Sequence, residues 1–234
     1  FLVGGYSNGV SWRSTLERGG TYAAWFVSRL QRLINPALPL FLAWVAFAGF
    51  AKSFGVSAPV IKLASQLALV PVWFLAVYLL VVAVVPLSWQ LWQRFGMGSI
   101  YMLFALAIAV DVGTLRFGIE SLSYLNFLFV WVAMHQLGYA WFDERINKPS
   151  SSALLAVGGL AALIGLVRYG PYPIAMIGVP GAELSNSMPP TIALLALGMT
   201  QTGLVLALDA MAQAQCQGLA LSVAPERQAQ TLDY

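Results

Sequence analysis

The sequence predicts an all-α fold, a polytopic integral membrane helix bundle with six complete transmembrane helices plus one truncated N-terminal span. Three observations carry that expectation. Hydrophobic residues make up 59% of the 234 and charged residues only 9%, well outside the composition of an ordinary soluble domain. The apolar residues gather in runs of about 20, enough for a helix rising ~1.5 Å per residue to cross a ~30 Å hydrocarbon layer. The runs do not alternate apolar with polar positions as barrel strands do, and lipid offers no partner to a free backbone group, so they are helices.

Phe1–Trp12 (FLVGGYSNGVSW) is too short to cross and too apolar for a soluble tail. It reads as the end of a span that begins before Phe1, and the chain is expected to be a fragment, since a cleaved signal peptide would not leave half an apolar run as a mature start. Ser14–Asn35 is amphipathic, with Trp25, Phe26, Leu30, Leu33 and Ile34 apolar and Arg29 and Arg32 three residues apart on one flank. That pattern suits a helix lying among lipid headgroups. The complete spans follow at about Pro36–Phe54, Pro71–Trp92, Ser99–Phe117, Leu122–Phe142, Ser152–Val167 and Pro189–Met211.

Within them, Gly158, Gly159, Ala162 and Gly165 are small enough to let helices approach closely, and Trp73, Trp89 and Trp92 fit interfacial belts. Gly170–Met188 is a connection with Pro171, Pro173 and Pro180, apolar enough to lie against the bundle, and long loops of this kind serve as lids or binding loops. Residues 1–213 form one membrane domain, and 214–234 a polar tail.

Lys and Arg near span ends accumulate on the cytoplasmic side. With the Arg13–Asn35 segment inside, Arg13, Arg18, Arg29, Arg32, Arg94, Arg145, Lys148 and Arg227 are cytoplasmic, while Lys52, Lys62, Arg116 and Arg168 are outside: eight against four, accounting for all 12. A multi-pass protein of the cell (plasma) membrane follows. The basic charges are spread over separate loops rather than gathered on one face, so the lipid bilayer is the expected partner and no nucleic acid is.

Motifs of soluble chemistry are missing: there is no phosphate-binding Gly-rich loop, HExxH, CxxC or GxSxG. One His and one Cys make a metal site of ordinary composition an unsuitable reading. What remains are polar groups at membrane depth. Asp111 is an intramembrane carboxylate and hence a functional candidate, or else the partner of Arg116 or Arg168 in locking helices together. His135 is an acid–base candidate by its pKa range, or an interhelical hydrogen-bonding group. Arg29 and Arg32 suit the phosphates of a cytosolic donor, since Arg binds phosphate bidentately, or anionic lipid.

Four stretches add a resemblance. FLVGGYSN is similar to the Phe-rich, Ser/Gly-containing motif that follows an early span in the membrane acyltransferase 3 family. RSTLERGGTYAAWFVSRLQRLINPALP resembles its Arg-rich stretch ending in Pro, with Arg29, Arg32, Leu33 and Pro36 on the motif. PVWFLAVYLLV resembles its Trp-Phe-Leu span through Trp73, Phe74, Leu75 and Tyr78. YPIAMIGVPGAELSNSMPPTIALLALG is similar to a stretch of actinobacterial members, and together these cover most of Phe1–Gly203 in the family's order.

The resemblance implies an integral-membrane O-acyltransferase that moves an acyl group from cytosolic acyl-CoA to a hydroxyl of a carbohydrate or lipid-linked acceptor. It needs no cofactor beyond that donor substrate. Arg29 and Arg32 would hold the donor phosphates, and Asp111 and Arg168, with His135, would be acceptor-site or structural polar groups. The family's catalytic His belongs to an early span, after an Arg, which places it upstream of Phe1; the catalytic residue is therefore unknown here, His135 does not inherit the role, and this fragment is expected to be inactive alone. Gly4 stands where the family's Ser-Gly pair has its Ser. The competing classes are a secondary transporter, for which broken helices or paired halves would speak, and a non-catalytic polytopic membrane protein.

Overall fold

The computed structural model describes residues 1–68, 70–178 and 185–230, with side chains as far as residue 215 apart from 70 and 71. The described residues hold ten α-helices and one short 3-10 helix, with no strand among them. In chain order they are α1 Leu2–Glu17, α2 Tyr22–Ile34, α3 Ala37–Ser53, α4 Ala58–Ala68, α5 Val70–Ala83, α6 Val85–Phe95, α7 Met97–Phe117, the 3-10 helix Glu120–Leu125, α8 Asn126–Phe142, α9 Pro149–Tyr169 and α10 Ile192–Gln230. The polar segment after Gln213 thus continues α10.

Four stretches are long and apolar enough to cross a membrane: Tyr22–Ser53, Met97–Phe117, Pro149–Tyr169 and Ile192–Gln215. A fifth arises if Ala58–Ala68 and Val72–Ala83, bent by 41°, count as one span. The expected first span therefore continues from the amphipathic segment, with only a break at Asn35–Pro36. The span expected over Pro71–Trp92 divides at Val84 into α5 and α6, because Pro86 in the first turn of α6 has no N–H to donate to the preceding turn. The span expected over Leu122–Phe142 begins as the 3-10 helix, leaving α8 with 17 residues.

α8 is the centre of the bundle. Met134 through Ala140 are all buried, as are Val130, Val132 and Ala133, and the helix packs on α1, α5, α6, α7 and α10. A helix apolar all round belongs inside. Lipid tails are as apolar as leucine, so close packing and interhelical hydrogen bonds, rather than water exclusion, hold such helices together. At the α1–α8 crossing the backbones touch: a β-carbon on Gly5 would overlap the His135 carbonyl oxygen, and one on Gly138 would overlap the Leu2 carbonyl. In the α9–α10 pair, Gly159 admits Thr200, where a β-carbon would come within 2.7 Å of the Thr200 nitrogen, while Gly165 has open space beside it. Of the four small residues of that span, Gly159 makes the close helix approach.

Two tryptophans expected at the headgroups lie in the core instead. Trp89 is edge-on to Tyr139 at 5.1 Å between centroids, and Trp92 is buried with its indole N–H donating to Asp143 at 2.8 Å. Both lie on α6, whose one buried face meets α8; the indoles find their partners in protein rather than in headgroups. Trp73 is half-buried.

Candidate functional site

Three groups of polar residues lie along the bundle. The first is a pocket of about 300 Å³ where α1 turns into α2, lined by Ser11, Thr15, Arg18, Thr21, Ser28, Arg29 and Arg32 among others. The turn is fixed by Thr21, whose hydroxyl accepts from the Ala24 N–H at 3.4 Å and caps α2. Capping sets the helical phase of α2, so that Ser28, Arg29 and Arg32 face the cavity together. Arg29 donates to the Ser7 carbonyl at 3.1 Å and lies over the Trp25 ring at 5.9 Å. Trp25 is pinned by its own N–H, which donates to the Ser11 hydroxyl at 3.0 Å. Three guanidiniums and several hydroxyls in one open cavity suit an anion carrying more than one charge.

The second group is a buried polar seam. The Asn8 amide donates to the Tyr78 hydroxyl at 3.2 Å, and its Nδ2 lies 3.0 Å from His135 Nε2. One turn further along α8, the Tyr139 hydroxyl meets the Ser88 hydroxyl at 3.0 Å. Beside it, Gln136 accepts from Ser99 at 2.7 Å and donates to the Ser88 carbonyl at 3.0 Å. The seam joins α1, α5, α6, α7 and α8. His135 is fully buried, and its Nδ1 has no partner among the described residues. Because Arg29 bonds Ser7 and Asn8 follows it, the pocket and the seam share a wall of α1.

Asp111 forms the third group, at the other end of the bundle. Its Oδ1 accepts from the Asn126 amide at 2.7 Å, and its Oδ2 accepts from the Tyr172 hydroxyl and the Ile192 N–H, each at 2.9 Å. The carboxylate thus sits at the first turn of α10, where the helix dipole favours negative charge. Arg116 and Arg168 are exposed and do not reach it; among the described residues the one ion pair is Arg13–Glu17. In place of the alternative pairing of Asp111 with an arginine, three neutral donors hydrogen-bond the carboxylate without burying a second charge. Burial first, and the Asp111 charge second, raise the pKa of the Tyr172 hydroxyl above its usual value, so it remains a donor.

The described parts of the Gly170–Met188 connection, residues 170–178 and 185–188, are tied together by Asn186, whose amide donates to the Pro173 carbonyl at 2.6 Å and whose side-chain oxygen accepts from Thr191 at 2.8 Å. Pro180 lies outside the described residues.

The structure thus brings Arg29 and Arg32 together with Arg18, and His135 with Asn8 and Tyr78. It leaves Arg168 apart from Asp111. Neutral amides were what sequence reasoning passed over: Asn8 sits in an apolar run and Gln136 is next to His135, and both cost more in lipid than their lack of charge suggests.

An all-helical bundle with membrane-length apolar helices and an interior polar seam defines an integral membrane protein. The acyltransferase domain model of the Acyl_transf_3 family matches residues 1–214, and the chain belongs to that family of membrane acyltransferases. No curated protein and no solved structure matches it.

Proposed function

We propose that this chain belongs to an O-acyltransferase of the plasma membrane that takes its acyl group from cytosolic acyl-CoA and gives it to a hydroxyl of a carbohydrate or lipid-linked acceptor. The observation that carries this reading is the convergence of Arg18, Arg29 and Arg32 on one cavity. In this reading the Arg13–Asn35 segment is cytoplasmic, and the three guanidiniums take the donor's phosphates, each as a charge-assisted hydrogen bond. The thioester then reaches the seam that begins at Ser7 and Asn8.

In the reaction the acceptor oxygen attacks the thioester carbonyl, the C–S bond breaks, and the CoA thiol leaves with the proton taken from the hydroxyl. A general base contributes roughly 10²- to 10⁴-fold to such a step. His135 is not given that role: its ring is fully buried and its Nε2 is bonded to Asn8. Asp111, bonded to Asn126 of α8, to Tyr172 of the loop and to the first turn of α10, is a structural group at the acceptor side rather than a reacting one.

The test is binding of CoA to the full-length protein carrying Arg29→Ala with Arg32→Ala. Binding should fall by at least about tenfold, as expected for loss of charge-assisted bonds worth ~1.5–3 kcal/mol each, with an unchanged gel-filtration profile. Unaltered CoA binding alongside weakened binding of anionic-lipid vesicles would assign the arginines to headgroups and end this reading.

A further inference from the structure

A groove of about 570 Å³ runs between α1, α5, α8 and α10, walled by Leu2, Phe74, Trp131, Met134, Leu197 and Val205. Among the described residues no charged side chain lines it, and its volume falls in the range of small-molecule sites. Its position relative to the seam gives it a purpose. Phe74 is one helical turn from Tyr78 and Trp131 is one turn from His135, while Phe1 packs on both Tyr78 and Trp131 at 5.6 and 4.1 Å between centroids. The groove therefore starts where the seam stops. Along α1 the order is Thr15 and Ser11 at the arginine pocket, Asn8 at the seam, and Leu2 at the groove, a distance of about 20 Å at ~1.5 Å per residue. An acyl-CoA has the same order: phosphates, thioester, hydrocarbon.

Gln201 fixes where the thioester would lie. Asn126 at the start of α8 and Ile192 at the start of α10 both bond Asp111, so the two helices begin at one level. Nine residues along each, about 13 Å, stand His135 and Gln201. Gln201 lines the groove and is exposed, and its amide has no hydrogen-bond partner among the described residues. An amide facing hydrocarbon at that depth is costly unless something accepts from it. From Gln201 the groove continues past Leu197 and Leu194 to Ile177 and Ser187 of the 170–191 connection.

We propose that this groove holds the hydrocarbon chain of a medium- or long-chain acyl donor, with the Gln201 amide donating to the thioester carbonyl oxygen in its inner half. The inference rests on the acyl-CoA reading above and adds to it the class of donor. Gln201 would stabilise the oxygen on which charge builds when the acceptor attacks, the role of an oxyanion-hole donor.

The experiment uses the full-length protein in lipid nanodiscs with decanoyl-CoA, acetyl-CoA and CoA. Decanoyl-CoA is expected to displace bound CoA at least about tenfold more effectively than acetyl-CoA, since each buried methylene favours the longer chain. Leu197→Trp, which fills the groove, should reduce that preference to below about twofold while CoA itself binds as before. In the wild-type protein a decanoyl-CoA carrying a terminal diazirine should label α10 or residues 170–178. The infrared band of a ¹³C-labelled thioester carbonyl should move to lower frequency on binding, and return to its free position in Gln201→Leu with affinity retained. Equal displacement by acetyl-CoA and decanoyl-CoA, an unshifted carbonyl band, or labelling that polyprenyl phosphate removes and CoA does not, would overturn the proposal. CoA binding that persists in those cases leaves the donor reading standing; a wild-type protein that binds none of the three compounds overturns both.

Discussion

Gly5 and His135 meet backbone to backbone, because a β-carbon at position 5 would fall within the His135 carbonyl oxygen. Neither atom can give way without moving a helix. Gly5→Ala should therefore cost at least about 3 kcal/mol, the upper end of ordinary overpacking, seen as a lowered unfolding temperature in detergent. Gly49→Ala is the control: nothing lies within 4 Å of its added carbon, and it should be neutral or slightly stabilising through helix propensity.

Asn8 serves two partners that it alone connects, Tyr78 and His135. Asn8→Leu leaves His135 without a hydrogen-bond partner in the interior. The expected loss is about 1–3 kcal/mol, the cost of a buried unsatisfied group, measured by thermal aggregation in the same detergent. Asn8→Leu combined with His135→Leu should recover part of that loss, since removing both partners is milder than removing one.

Asp111→Ala removes the cap of α10 and both side-chain attachments of its neighbourhood at once. We expect a loss of about 2 kcal/mol and faster protease cleavage within residues 170–191. Tyr172→Phe removes one bond and should cost about 1 kcal/mol, with an intermediate cleavage rate.

The same anchor has a defined pH dependence. The Tyr172 pKa is raised above its ordinary value of 10.0, so the bond it donates is complete below about 10 and is lost only as pH rises beyond that. Loop cleavage should not respond to Tyr172 between pH 7 and 9, and Tyr172→Phe should change its rate equally at both values. A wild-type rate that climbs between them would contradict the assignment of the donor.

Salt separates the arginine pocket from the groove. Arg18, Arg29 and Arg32 line an open cavity, where attraction to a phosphate is screened over about 10 Å at 0.1 M salt. CoA affinity should fall steadily between 50 and 500 mM NaCl, and Arg18→Ala should flatten that slope. A slope unchanged by the substitution would remove Arg18 from the phosphate contacts.

The helical class, the membrane character and the clustering of Arg29 with Arg32 were legible in the sequence, because apolar run length and i, i+3 spacing follow directly from helix geometry. The division at Val84 was marked by Pro86, but a proline within a long apolar run is also compatible with a kinked span, and only packing decides. Trp89 and Trp92 were misplaced because an indole satisfies its N–H equally at a headgroup or on a protein acceptor such as Asp143. Arg18 joins the pocket only through the turn at Gly19, whose positive φ of 69° reverses the chain, and no periodicity carries a residue across such a turn. Asp111 was visible as a buried carboxylate, while its donors come from three distant segments.

Asn8 and His135 are separated by 127 positions in the chain. At a synthesis rate of about 5–20 residues per second, α1 waits roughly 6 to 25 seconds in the membrane before its permanent neighbour is made. During that interval Asn8 and the notch at Gly5 are open to any other helix nearby. The centre of this protein thus closes only when α8 is in place, and its assembly depends on this face of α1 staying open until then.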